Sequence, residues 1–453
     1  MDLKSKAVPD PRVPVALSRR HKISFFLCVV GALLIWLALD VYLHPDISHN
    51  VPDFSHLARH CAHTSPIDTL EFHARQKALA QRLQELNASA YISEPGANAH
   101  FFGNVSKSNW GLSERPLLLI VSPDTANLGE ARITVLTPAF EASRAKLLPI
   151  PSASKIDYVE WAEDRNPYDV ALRALAQEQG QDSQRIFVDG DIRHFIVDGL
   201  QDAAPSFTIV SAPTEVRSLR ERKSQTEIEL MKCANEVTVL AIRAVRERMF
   251  IGIRESQVRA LLDTALSAAG ITDSWMLVLF GENAALPHGR GSDRILAKSD
   301  FTLIDAGGLL HGYSSDVTRT FALDSSEIPS LNQEIWDAVK QAQNVAAATA
   351  RAGVVTNKVD EAARGHLKTL GYAQYFTHRL GHGIGTETHE QPYLRGGSQD
   401  VIQTGHAFSN EPGVYIEGQV GVRLEDCFYI SENGAPVFLT AGVGGQARDP
   451  WHP

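Results

Sequence analysis

The sequence predicts an α+β protein whose C-terminal half runs through one plan twice, behind an α/β domain and one N-terminal transmembrane helix. Three observations lead there. Two helical stretches followed by short strands occur once in 224–305 and again in 331–430. Between about 66 and 210, short apolar runs alternate with helical patterns, as α/β layers require. Residues 23–39 form a 17-residue run without a charge.

That run, ISFFLCVVGALLIWLAL, reaches 21 residues when Val41, Tyr42 and Leu43 are added across Asp40. About 20 residues cross a bilayer. Arg19, Arg20 and Lys22 precede it, and Asp40, Asp46 and Asp53 follow it. The positive-inside rule then gives a cytosolic tail over 1–22, an anchor over 23–43, and a lumenal or extracellular body. A cleaved signal peptide is the competing reading, but the n-region is long and no small-x-small site follows. Residues 44–65 read as a polar stalk. Asn87-Ala-Ser and Asn104-Val-Ser are glycosylation sequons, in keeping with such a body.

For the body, 453 residues imply two to three domains. Hydrophobic content of 44% and charged content of 21% mark a globular chain. A formal charge of −10, with no basic run interleaved with aromatics, excludes a nucleic-acid partner. The four cysteines, at 28, 61, 233 and 427, contain no CxxC. They suggest neither a disulfide framework nor a thiolate zinc site.

Pro66–Leu86 is helical in pattern, with Leu70, Leu79, Leu83 and Leu86 taken as one stripe. Strand-like runs follow at Leu117–Val121, Ile133–Leu136, Ile186–Val188 and Phe207–Val210, with a helix at Tyr168–Gln179. The first domain thus covers 66–212 and the second 213–445. In the second, Ser224-Gln-Thr-Glu227 is a capping box opening a helix. A second helix runs from about Glu255 to Ala269 and stops at Gly270. The next pair spans about Leu331–Arg351 and Asn357–Leu370. A cleft between two such halves is the default site.

Acids interrupt the strands around that cleft. Asp305 ends FTLID; Gly307, Gly308 and Gly312 allow a tight return; Asp316 lies on SSDVTRTF. A hairpin puts both carboxylates on one face. Glu411 precedes Pro412-Gly413, and Glu425 lies two residues beyond Arg423. Singly, each reads as a hairpin-end acid. Gathered without a cation, the four would repel one another. The stretch THRLGHGIGTETHE, 377–390, carries His378, His382 and His389 among glycines. Alone it reads equally as a Gly-rich loop with solvent histidines. With His382 the set becomes one imidazole and four carboxylates, whose −4 balances two divalent cations. Oxygen-rich ligation suits Mn²⁺ first, then Co²⁺, Fe²⁺ or Zn²⁺. Two such metals share a bridging hydroxide and polarise a carbonyl.

These motifs, IDAGG, SSDVTRTF, LGHGIG, NEPGVY and VRLED, resemble the five-ligand set of the pita-bread metallopeptidases. That family includes methionine aminopeptidases, aminopeptidase P, prolidases and the metal-free creatinases. Residues 66–210 are similar to the creatinase-type N-terminal domain of prolidases and aminopeptidase P. The resemblance covers about 66–445 and not the apolar run. It implies that Asp305 chelates one metal, His382 and Glu411 the other, and that Asp316 and Glu425 bridge both. Glu411 would also handle the proton of the attacking water. His288 in LPHGRG would be a catalytic, substrate-side histidine. His389 would steady the tetrahedral intermediate, and His378 would line a prolyl pocket. Arg423 would orient Glu425. Arg395 does not match the family's spacing for a carboxylate clamp. The activity implied is hydrolysis of Xaa-Pro bonds in dipeptides or short peptides, with a homodimer common among relatives. A creatinase-like C–N hydrolase and a non-catalytic binding protein are the alternatives, and both classes commonly lose metal ligands that are all present here.

Overall fold

Asp68 opens the first long helix, its carboxylate accepting the Glu71 N–H at 2.8 Å. In this helix, Thr69–Glu85, Leu79 and Leu83 are buried, whereas Leu70 is 75% exposed. Nine residues are two and a half turns, so Leu70 and Leu79 point to opposite faces and cannot share a stripe. The structure, a computed structural model, describes residues 52–179, 185–204 and 207–453.

The N-terminal domain is built on six strands: β1 (Ala90–Ser93), β2 (Leu118–Pro123), β3 (Ala131–Pro138), β4 (Asp157–Trp161), β5 (Arg185–Val188) and β6 (Thr208–Ser211). Their order is β4-β3-β2-β1-β5-β6. Alternate side chains serve the two faces. Leu119, Val121, Ile133 and Val135 pack with Leu79 and Leu83 of the first helix. Leu118, Ile120 and Leu136 pack on the other side with Leu172 and Leu200 of the helices Pro167–Gln179 and His194–Ala203.

The second domain repeats itself as expected. Ser224 and Glu227 form a reciprocal capping box on the helix Gln225–Arg246. The helix Glu255–Ala268 follows, then an antiparallel sheet of β7 (Thr272–Phe280), β8 (Thr302–Leu310) and β9 (Tyr313–Phe321). The second half has the helices Ser330–Thr349 and Thr356–Thr369. Its strands are β10 (Gly381–Gly383), β11 (Glu390–Leu394), β12 (Ala407–Asn410), β13 (Gly413–Ile416), β14 (Val420–Arg423), β15 (Asp426–Ile430) and β16 (Pro436–Phe438). Here β11-β10-β12-β15-β16 form one sheet, and β13 pairs with β14. The halves are joined where Glu425 N–H donates to Thr318 O at 3.0 Å and Thr320 Oγ1 donates to Arg423 O at 2.8 Å.

Several expectations need correction. Gly307 and Gly308 lie inside β8 and not in the turn, which forms at His311 and Gly312 (φ 49° and 84°). A Cβ on Gly307 would sit 2.0 Å from the Ser315 carbonyl oxygen across the hairpin, so close strand approach explains the glycine. A disulfide, not foreseen, joins Cys61 to Cys233. Within the stretch read as a stalk, Phe54, Leu57 and Cys61 pack against the helices of the first half. The sequon residues Asn87 and Asn104 adopt left-handed backbone at helix ends (φ 51° and 56°), and Asn104 Nδ2 donates to Pro149 O at 3.1 Å. They serve as helix-ending residues. Finally, among the described residues no helix is long and apolar enough to cross a membrane. The longest, Gln225–Arg246, carries Glu227, Glu229, Lys232, Glu236, Arg243 and Arg246. The transmembrane helix over 23–43 and the single-pass membrane placement are corrected accordingly; that run itself lies outside the described residues.

Candidate metal centre

The β8–β9 hairpin sets the first two acids. Asp316 pairs with Gly307, two residues from Asp305, so both carboxylates share a face. The second half supplies the rest: His382 on β10, Glu411 just after β12, and Glu425 between β14 and β15. His382 Nε2 lies 3.5 Å from Asp316 Oδ2 and 3.3 Å from Glu411 Oε1. Its Nδ1 is 3.0 Å from the Gly383 carbonyl, which only accepts. Nδ1 therefore carries a hydrogen, and Nε2, the nitrogen facing the acids, is the one whose lone pair a cation among them would take. A Cβ on Gly381 would stand 2.1 Å from Ser409 O, so only glycine lets β10 approach β12 there.

The acids form two overlapping triads. Asp305, Asp316 and Glu425 each offer an atom within 4.8 Å of the others', as do His382, Glu411 and Glu425. Glu425 belongs to both. Asp305 Oδ1 and Glu425 Oε1 are buried without a hydrogen-bond partner, which a cation would supply. The electrostatics agree. Burial, reinforced by Asp305 against His382, raises the Asp316 carboxyl to about 7. Burial, with Asp316, Glu411 and Asp305, pushes Glu425 well above the carboxylate range. Burial would raise Glu411 too, but His382 overrides it and holds Glu411 at about 2. Burial opposes the His382 imidazolium, yet Asp316 and Glu411 lift its pKa to about 10. Protons are compensating crowded carboxylates here, and a divalent cation would take their place.

Arg423 is the hub behind these acids. Its Nη2 donates to Asp305 Oδ2 at 2.6 Å and its Nε to Thr318 Oγ1 at 3.0 Å. Thr318 Oγ1 in turn donates to Glu425 Oε2 at 2.7 Å. Arg423 thus holds Asp305 directly and reaches Glu425 only through Thr318. Its Nη1 donates to the Tyr415 hydroxyl at 3.0 Å and to Pro287 O at 3.3 Å, next to the exposed His288. The Tyr415 hydroxyl lies 2.8 Å from His378 Nε2, while His378 Nδ1 is 4.0 Å from Glu411 Oε2. His389 stacks edge-on against His382 with ring centres 4.3 Å apart. Burial, His382 and Arg379 bring its pKa down to about 4. Arg395, at the exposed end of β11, lies over the Tyr393 ring and takes no part in the cluster.

Sequence reasoning missed Thr318, Tyr415 and Ser409, whose hydroxyl donates to Glu411 at 3.2 Å. Each sits two positions from an acid or glycine of a motif, on the same strand face. That spacing was the available signal.

Two similar halves, converging one imidazole and four carboxylates on a shared point, define a pita-bread metallopeptidase with a creatinase-type N-terminal domain. The comparisons agree. Residues 229–432 match the model of metallopeptidase family M24, and 75–222 match the creatinase/prolidase N-terminal domain. The chain is 36% identical over 451 residues to an uncharacterized peptidase of Schizosaccharomyces pombe, covering 96% of this chain and 97% of that one. It is 29% identical to the Xaa-Pro dipeptidase of Pyrococcus furiosus, covering 76% and 91%. The crystal structure of the dipeptidase PepE of Mycobacterium ulcerans superposes with a TM-score of 0.74 at 28% identity, covering 83% and 97%. The chain belongs to metallopeptidase family M24. It is a hydrolase close to the prolidases and dipeptidases of a family that uses divalent metals.

Proposed function

We propose that the protein hydrolyses the bond between a residue and a following proline, using a dinuclear centre held by Asp305, Asp316, His382, Glu411 and Glu425. The observation that carries this reading is the pair of ligand triads sharing Glu425. Two cations, Mn²⁺ by ligand chemistry, would acidify a water and polarise the scissile carbonyl. Asp305 would hold one of them, His382 and Glu411 the other, and Asp316 and Glu425 would serve both.

The side chains around the centre perform the rest. Glu411 takes the proton of the attacking water and delivers it to the proline nitrogen as the carbon–nitrogen bond breaks. His389 offers a ring N–H to the carbonyl oxygen as charge develops there. His378, held by Tyr415, and His288 wall the space for the proline ring. Proline has no amide hydrogen and a fixed φ, so a rigid aromatic slot recognises it by shape. The names of relatives such as the Xaa-Pro dipeptidase of Pyrococcus furiosus support this specificity.

The test is metal content by elemental analysis alongside hydrolysis of Xaa-Pro dipeptides and Xaa-Pro-Xaa tripeptides. Two ions per chain and proline-dependent cleavage are expected, both lost in Asp316→Ala. Sustained hydrolysis by metal-depleted Asp316→Ala protein would overturn the reading.

A further inference from the structure

A cavity of about 550 Å³ opens beside His389, between the N-terminal domain and the segment that carries this histidine. Tyr91, Asn98 and Asp189 line one wall; Arg220, Glu387 and Glu390 line the other. Its position relative to the metal cluster is defined by two histidines. His378 approaches Glu411, whereas His389 lies against His382 and groups with Asp316. His288, His378 and Tyr415, the proline walls, do not border the cavity. The space next to His389 therefore faces the residue that precedes proline.

The charge inside this cavity does not close. The carboxylates of Asp189, Glu387 and Glu390 line it, with Asp189 and Glu390 buried and Glu387 half-buried. Arg220 pairs with Glu387 and lies 3.5 Å from Glu390, and the buried Lys223 pairs with Glu390. Three acids thus face two cations. Asp189, at the end of β5 and 6% exposed, is the acid left over. Its Oδ1 accepts Asn98 Nδ2 at 2.8 Å and the Asp191 N–H at 3.2 Å, while among the described residues no hydrogen bond reaches Oδ2. At the mouth Asp191 and Glu221 are matched by the exposed Lys107 and Arg217. A buried carboxylate with an open acceptor is best satisfied by a cationic donor.

We propose that this cavity is the subsite for the side chain preceding proline, and that it selects lysine or arginine there. This rests on the Xaa-Pro reading of the metal centre. The aliphatic stem of the substrate side chain would run past His389, and its charged end would meet Asp189. A neutral chain of equal length leaves Asp189 Oδ2 without a partner, and an acidic one adds a fourth carboxylate.

The experiment compares kcat/KM for Lys-Pro, Arg-Pro, norleucine-Pro and Glu-Pro with the metal-loaded full chain at low ionic strength. Norleucine keeps the stem of lysine and lacks its charge. Lys-Pro is expected to exceed norleucine-Pro by about tenfold or more, with Glu-Pro lowest. Asp189→Asn should reduce the Lys-to-norleucine ratio by about tenfold, and Asp191→Lys, at the exposed mouth, should reduce it in the same direction. The ratio cancels general losses of activity, and the Asp191 variant decides should the buried Asp189 variant not fold. Equal values for Lys-Pro and norleucine-Pro, or an unchanged ratio in the folded variants, would overturn the subsite. Cleavage of other peptides with none of the four Xaa-Pro substrates would instead overturn the proline reading, and the subsite with it.

Discussion

Replacing Thr318 with valine separates the positioning of Glu425 from the presence of its carboxylate. Thr318 is fully buried on β9. Its hydroxyl accepts from Arg423 Nε and donates to Glu425 Oε2. Valine keeps the branched shape and removes both bonds. Glu425 then loses its side-chain partner, since Oε1 has none. Arg423 loses one of the bonds that fix its plane. Groups that orient a metal ligand in this way are worth about 10–100-fold in metal affinity, or about 1.4–2.8 kcal/mol. Thr318→Ser is the counterpart, because it keeps the hydroxyl and loses only a methyl. Competition against a calibrated chelator at fixed pH, read by elemental analysis, gives both affinities. The valine variant should bind metal about 10–100-fold more weakly and the serine variant within a few-fold of the parent. Because binding to the folded state adds to stability, the valine variant should also gain less in melting temperature from added metal. Equal metal affinity in the valine and parent proteins would show that Arg423 acts on Asp305 alone.

Other perturbations test other parts of the fold. The Cys61–Cys233 bond closes 172 residues of chain, and its reduction should lower stability by about 2–5 kcal/mol; identical denaturant midpoints with and without reductant would exclude that contribution. His406 is buried, and burial with Lys223 and Arg222 brings its pKa down to about 4. The folded value lies below the unfolded one of about 6.5, so the folded state favours neutral imidazole. This contribution is complete above about pH 6.5 and is lost as pH falls toward 4, by up to about 3 kcal/mol. Unfolding curves of His406→Gln should show a flatter dependence over that window, and an unchanged slope would remove His406 from the account. Gly381→Ala would press a Cβ against the Ser409 carbonyl, and an effect of about 3 kcal/mol or more on stability is expected, with loss of metal binding. Wild-type melting and metal content in that variant would show that β10 can shift.

Much of this architecture was legible because it is written in local patterns. The capping box at Ser224 and the stop at Gly270 are short-range signals, and both are found in place. What stayed hidden was long-range. The central strand β1 has four residues and a neighbour, β5, almost a hundred positions away, so no period announces it. The Cys61–Cys233 pair is likewise a matter of tertiary approach. Gly307 and Gly308 look like turn residues in the sequence because glycine serves turns and close strand contacts alike, and only the partner across the hairpin distinguishes them. In the site, the acids and His382 stood out by type. Thr318 and Tyr415 did not, since a hydroxyl's importance depends on which charged groups it joins.

The division of the site between the halves has a mechanical consequence. Asp305 and Asp316 come from the first half, and His382, Glu411 and Glu425 from the second. The junction is already tied without them. Arg319 of β9 donates to Asp426 and to the Glu425 carbonyl, and Asp426 also accepts from Thr440 and Gln343. These contacts neutralise the acid beside Glu425 and fix its backbone, so the carboxylates of the two halves face each other at short range whether or not a cation is present. Repulsion among them is then borne by the scaffold. A cation binding between the halves replaces that repulsion with attraction from both sides. Metal loading should therefore stabilise the junction of the halves more than either half's own core.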